Sequence, residues 1–96
     1  MTPMMKITVR IFGDLVQFLG NKISLELEEG STVGALVKAM GERSGQRRQG
    51  YLGDFKVGGG ELIILVNGRN IELADGLETI VREGEDIVFL NPTMGG

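Results

Sequence analysis

In "KITVRIF", residues 6–12, apolar Ile7, Val9 and Ile11 alternate with Lys6, Thr8 and Arg10, the period-two pattern of a strand with one buried face. Phe12 breaks the pattern by falling on the polar side. After a short connection over 13–21, Ile23, Leu25 and Leu27 alternate with Ser24, Glu26 and Glu28, which predicts the second arm of a hairpin. The period then changes. Val33, Leu36, Val37 and Met40 follow i, i+3, i+4, i+7 spacing and predict a helix with one apolar stripe, capped by Ser31 or Thr32 and stopped at Gly45. Gly34 and Gly41 each weaken such a helix by about 1 kcal/mol relative to Ala, so packing must hold it more than propensity does.

Residues 46–60 show no period and contain five glycines, which reads as a long connection with one turn or short strand around Tyr51–Val57. Residues 61–73 read as an apolar strand, the Asn67-Gly68 pair that favours a type I′ turn, and a return strand through Ile71 and Leu73. Over 74–86, Leu77 and Ile80, with Val81 a further candidate, are expected to plug the core before Gly84-Glu85-Asp86 turns into the last strand. Pro92 ends that strand because it has no N–H to donate. The order is strand, strand, helix, loop, strand, short strand, strand: an α+β fold with a sheet of about five strands and one main helix on one face.

One helix covers one face only. Leu62, Ile64 and Val66 share their strand with Ile63 and Leu65, and Ile87 and Phe89 share theirs with Val88 and Leu90, so both strands are apolar on both parities. Either loops cover the second face, or it is a docking patch that includes Phe12.

Composition narrows the function. The chain has 96 residues, enough for one domain with a single core. A net charge of −3 argues against a nucleic-acid partner. With no Cys and no His, a thiol nucleophile, thiolate metal site and neutral-pH imidazole shuttle are all excluded, so no metal site and no autonomous enzyme are expected. Glu26, Glu28 and Glu29 beside a turn lack the oxygen-donor spacing of a cation site. "VGGGE" at 57–61 is not followed by the Lys-Ser or Lys-Thr of a phosphate-binding loop. Nowhere do 18 apolar residues run together and no signal-peptide stretch precedes Lys6, so the expectation is a cytoplasmic protein with no membrane partner. Residues 1–5, with Pro3, read as a short disordered lead, 6–91 as the domain, and 92–96 as a flexible tail.

The tail reads "NPTMGG". Glycine fills 16 of 96 positions, so a closing pair arises by chance about 3 times in a hundred, a hint that gains weight only from the body it is attached to. A strand pair, a helix, then a strand pair ending in Gly-Gly is the order of the ubiquitin-like β-grasp fold. The chain resembles the MoaD family, the small sulfur-carrier subunits of molybdopterin synthase and their archaeal ubiquitin-like modifier relatives. The resemblance covers nearly the whole chain: "KITVRIFGDLVQFLG", "EEGSTVGALVKAM", "LVNGRNI" and "LETIVREGEDIVFLNPTMGG" are similar to successive family segments, the ending most specifically. Asn91 stands where the family has the first of two prolines, and Gly84-Glu85-Asp86 replaces its Gly-Asp. The long 46–60 loop leans toward the archaeal branch.

The resemblance implies that an E1-like enzyme uses ATP to adenylate the Gly96 carboxylate, and that a sulfur donor then displaces AMP to leave a thiocarboxylate. That group would donate sulfur to a pterin precursor in the large, catalytic subunit of molybdopterin synthase, for a molybdenum or tungsten cofactor. No cofactor would be bound by the carrier itself. The tail residues Pro92, Met94 and Gly95 would thread the partner's channel, Gly95 and Gly96 because they have no Cβ. Phe12, Leu65, Val88 and Leu90 would form the docking surface, and Phe12 and Leu90 should be neighbours, since first and last strands lie side by side in this fold. The alternative is a protein modifier that passes Gly96 to lysines of target proteins. A thiamine-type carrier, usually shorter and without the proline-containing ending, and a plain β-grasp interaction module rank below both.

Overall fold

The structure, a computed structural model, describes residues 3–43, 45, 51–52, 55–57 and 62–91. β1 (Met4–Phe12) and β2 (Lys22–Glu28) form the expected antiparallel hairpin, in a register that sets Ile7 beside Leu25 and Val9 beside Ile23. The connection between them is more structured than its sequence suggests, with a 3-10 turn at Gly13–Leu15 running into α1 (Val16–Leu19). Leu15 inserts fully into the core.

The main helix, α2 (Val33–Arg43), carries Val33, Leu36 and Met40 into the core as its stripe predicts. Thr32, not Ser31, is the residue whose side chain caps it: the Ala35 N–H donates to Thr32 Oγ1 (3.2 Å), whereas Ser31 Oγ donates back to the Glu28 carbonyl (2.6 Å). At its far end Arg43 donates to the Ser24 carbonyl and ties the helix to β2.

Within the long connection, β3 (Tyr51–Leu52) and β4 (Phe55–Lys56) pair antiparallel, and Leu52 is completely buried. β5 (Ile63–Val66) then turns at Asn67-Gly68, with φ of 54° and 81°, the two positive values that a type I′ turn requires. The return strand is shorter than expected. β6 is only Arg69–Asn70, and Ile71–Leu73 winds into a 3-10 turn because Asn70 Oδ1 accepts the Glu72 N–H (2.9 Å), a local bond that competes with extension. Leu73 is consequently 71% exposed. Of the residues expected to plug the core after it, only Val81 does; Leu77 and Ile80 stay on the surface because a 3-10 turn at Gly76–Glu78 and an isolated bridge from Ile80 to Thr32 hold them there.

β7 (Ile87–Leu90) completes a mixed sheet in the order β2-β1-β7-β5-β6. β1 and β7 are parallel neighbours at its centre, flanked by antiparallel pairs, which is the β-grasp arrangement. Its helix-side face supplies Ile7, Val9, Ile11, Ile64, Ile87 and Phe89 to one core that includes Leu36 and Met40 of α2. The expected disordered lead over 1–5 is corrected at its inner end. Met4 and Met5 belong to β1, Met5 is buried, and the Glu29 N–H donates to the Pro3 carbonyl (3.0 Å), so the strand pairing extends to the first apolar residue able to reach the core.

Candidate functional site

Because β1 and β7 run in the same direction, their C-terminal ends lie together, and the residue that breaks the sequence pattern meets the last residue of the last strand. The register pairs Phe12 with Leu90, and Leu90 with Ile63 on its other side. One step back, Arg10 pairs with Val88, and Val88 with Leu65. Cross-strand partners share a face, so Phe12, Leu90, Ile63, Val88 and Leu65 make a continuous apolar area on the side of the sheet away from α2. On the same face β2 contributes Lys22, Ser24, Glu26 and Glu28, so apart from Met4 at the start of β1 the apolar character is confined to the β7–β5 half and the end of β1.

The expected docking residues differ in accessibility. Phe12 is 48% exposed, and Leu90 and Leu65 are partly exposed. Val88 is corrected: it is 7% exposed, because its ladder partners Arg10 and Leu65 stand on either side of it, and it acts as the floor of the patch. Ile63 joins the patch in its place. Its parity is that of Leu65, and only the register places it beside Leu90.

Arg10 borders the apolar area. Its guanidinium lies over the Phe12 ring, 5.7 Å from the centroid, and binds Asp86 through two bonds, Nε to Oδ1 (3.1 Å) and Nη2 to Oδ2 (2.9 Å). Asp86 is itself fixed by the hairpin turn, its N–H donating to Asn67 Oδ1 (3.0 Å) and its carbonyl accepting the Asn67 N–H (2.7 Å). Sequence patterning carries no signal for this arrangement, since 76 residues separate the two charges.

Pro92, Met94, Gly95 and Gly96, expected to form the reactive tail, lie outside the described residues. Their root is described. Asn91 follows Leu90 directly, so the chain leaves the sheet beside Phe12. Among the described residues no cluster of acidic side chains has the makings of a metal site, and no helix is long and apolar enough to cross a membrane.

A parallel central pair, one covering helix, and an open apolar face beside the exit of the last strand define a ubiquitin-like β-grasp scaffold. The ThiS family model matches residues 9–96, and the chain belongs to this family, within the ThiS/MoaD group of ubiquitin-like sulfur carriers. A protein of Archaeoglobus fulgidus provisionally named a sulfur carrier is 34% identical over 83 residues, covering 79% of this chain and 88% of the relative. The fold is shared with the small archaeal modifier protein 1 of Methanosarcina acetivorans, at a TM-score of 0.71 and 24% identity over 98% of this chain and 99% of that one. It is also shared with a Pyrococcus furiosus protein provisionally named molybdopterin converting factor subunit 1, at a TM-score of 0.68 and 23% identity over 93% and 99%.

Proposed function

We propose that this chain is a sulfur carrier for molybdopterin synthesis, loaded at Gly96. An E1-like enzyme activates the Gly96 carboxylate: one carboxylate oxygen attacks the α-phosphate of ATP and pyrophosphate leaves. Hydrosulfide then attacks the acyl carbon, the bond to the phosphate oxygen breaks and AMP leaves, and the resulting thiocarboxylate is the sulfur donor to a pterin precursor bound by the large subunit of molybdopterin synthase. The chain's own part is to present the tail and dock on the partner that works on it. The observation that carries the sulfur-carrier reading is the family match, which runs through residue 96 and so spans Gly95 and Gly96; the likeness to the Pyrococcus protein supports the molybdopterin branch of it. The patch of Phe12, Leu90, Ile63 and Leu65 beside the exit of β7 supports it, since a partner seated there is close to the root of the tail.

A second reading has its own support in the likeness to the Methanosarcina modifier: the same adenylate is attacked by a lysine amine of a target protein, forming an isopeptide bond. One incubation separates the two. With ATP, an E1-like enzyme and a sulfur donor, the carrier gains the mass of an oxygen-to-sulfur exchange; the modifier gives a ladder of conjugates on a denaturing gel. A variant extended by one residue beyond Gly96 is expected to fold normally and to give neither product. Normal transfer by that blocked chain overturns both readings, and no product from the unmodified chain leaves only a β-grasp interaction module.

A further inference from the structure

Among the described residues, the one buried polar side chain sits at the root of the tail. Asn91 is 7% exposed, and its Oδ1 accepts the N–H of Leu15 (3.2 Å), a residue whose own side chain is fully in the core. Between Phe12 and Leu15 the chain passes Gly13, at φ 82°, against the same carboxamide. A β-carbon on Gly13 would collide with Asn91 Oδ1 and stand 3.0 Å from the Asn91 carbonyl oxygen, so the glycine is required by close approach as well as by its backbone angle. The end of β7 is therefore held twice: by the ladder, where Leu90 pairs with Phe12, and by a side-chain bond to the turn that follows Phe12.

We infer that Asn91 is a positioning residue for the tail, an inference that rests on the carrier or modifier reading above. Burying a carboxamide is unfavourable unless it is hydrogen-bonded, and this one satisfies the Leu15 N–H at the edge of the core, so the bond both stabilises the turn and fixes the direction in which the chain leaves β7. Pro92 follows immediately and restricts Asn91 to extended backbone. The five residues that follow reach at most about 18 Å, so the direction in which the chain leaves Asn91 sets the region the terminal carboxylate can sample. A smaller region to search lowers the ordering cost the activating enzyme must supply to align the carboxylate with ATP. The latch also refers the tail to Phe12, so that docking on the apolar patch and delivery of the carboxylate share one frame.

The test is ATP–pyrophosphate exchange by an E1-like enzyme on the full chain, with kcat and KM for the carrier measured separately alongside the melting temperature. Asn91→Leu keeps the branched outline, with bulkier methyl groups, but has no acceptor; Asn91→Asp keeps an acceptor oxygen. The expected result is that Asn91→Leu melts several degrees below the unmodified chain, because the Leu15 N–H loses its acceptor, and that well below its melting point it keeps its KM and loses about tenfold or more in kcat. Asn91→Asp is expected to recover most of that loss. Should Asn91→Leu fold poorly, Asn91→Ala carries the same expectation well below its melting point. Unchanged kcat in a variant without the acceptor overturns the latch and leaves the carrier reading intact. Equal losses in the Leu and Asp variants overturn it as well. An unmodified chain that supports no exchange at all is a failure of the reading on which the latch rests.

Discussion

Ile11 and Phe12 are consecutive in the chain, yet one is 1% exposed and the other 48%. The same contrast divides Phe89 from Leu90 on the neighbouring strand, the first fully buried and the second partly exposed. Both faces of the central strands are apolar, but α2 covers one of them, while the other has a polar half along β2 and β1 and an apolar half along β7 and β5. Hydrophobicity on the covered face is explained by stability. On the open face it is an exposed liability, and a sequence retains it where something docks.

The largest effect should come from the covered face. Phe89 is 0% exposed and central in the core, so Phe89→Ala should cost about 3–5 kcal/mol, a large share of the total stability of a domain this size. Chemical denaturation measures it, and a loss under about 1 kcal/mol would mean that the two faces are energetically alike. Next comes the open face. Phe12→Glu should change stability by less than about 1 kcal/mol while weakening the complex with an E1-like partner about tenfold or more, read by calorimetric titration and denaturant melts on the same samples. If that variant loses as much stability as Phe89→Ala, the face is core, and the distinction drawn from exposure collapses.

Much of this division is legible in sequence. Period two in β1 and β2 and the helical stripe of α2 are set by burial on one side, and Phe12 is visible as an exposed apolar residue because it violates that period. Three things are not legible, each for a physical reason. Val88 and Ile63 share the outward parity, but which of them is accessible depends on cross-strand neighbours, and Val88 has Arg10 beside it where Ile63 lies at the apolar end of its row. The early end of β6 depends on the Asn70 side chain bonding its own backbone, a local competition that hydrophobic patterning does not register. Asn91 reads as a departure from a proline pair, and its burial follows only from the return of the chain to the Gly13 turn, 76 residues away from its Leu15 partner.

The smallest expected effect lies on the border between the apolar and polar halves of the open face. Arg10 and Asp86 are each about half exposed, at 51% and 54% of their side chains, so water screens their attraction even though the geometry is bidentate. A double-mutant cycle of Arg10→Ala and Asp86→Ala should give a coupling of about 0.5–1 kcal/mol at low ionic strength, falling toward zero in molar salt. Part of any loss in Arg10→Ala alone belongs to the contact over Phe12, which salt screens less than the ion pair because it also includes packing of the guanidinium plane on the ring. The comparison is sharpened by adding Phe12→Ala to the cycle. A coupling between Arg10 and Phe12 that survives salt would make Arg10 part of the docking patch, stiffening the ring before a partner arrives. A coupling confined to Asp86 would make Arg10 a fastener between β1 and the turn before β7, with Phe12 left free to adjust on contact.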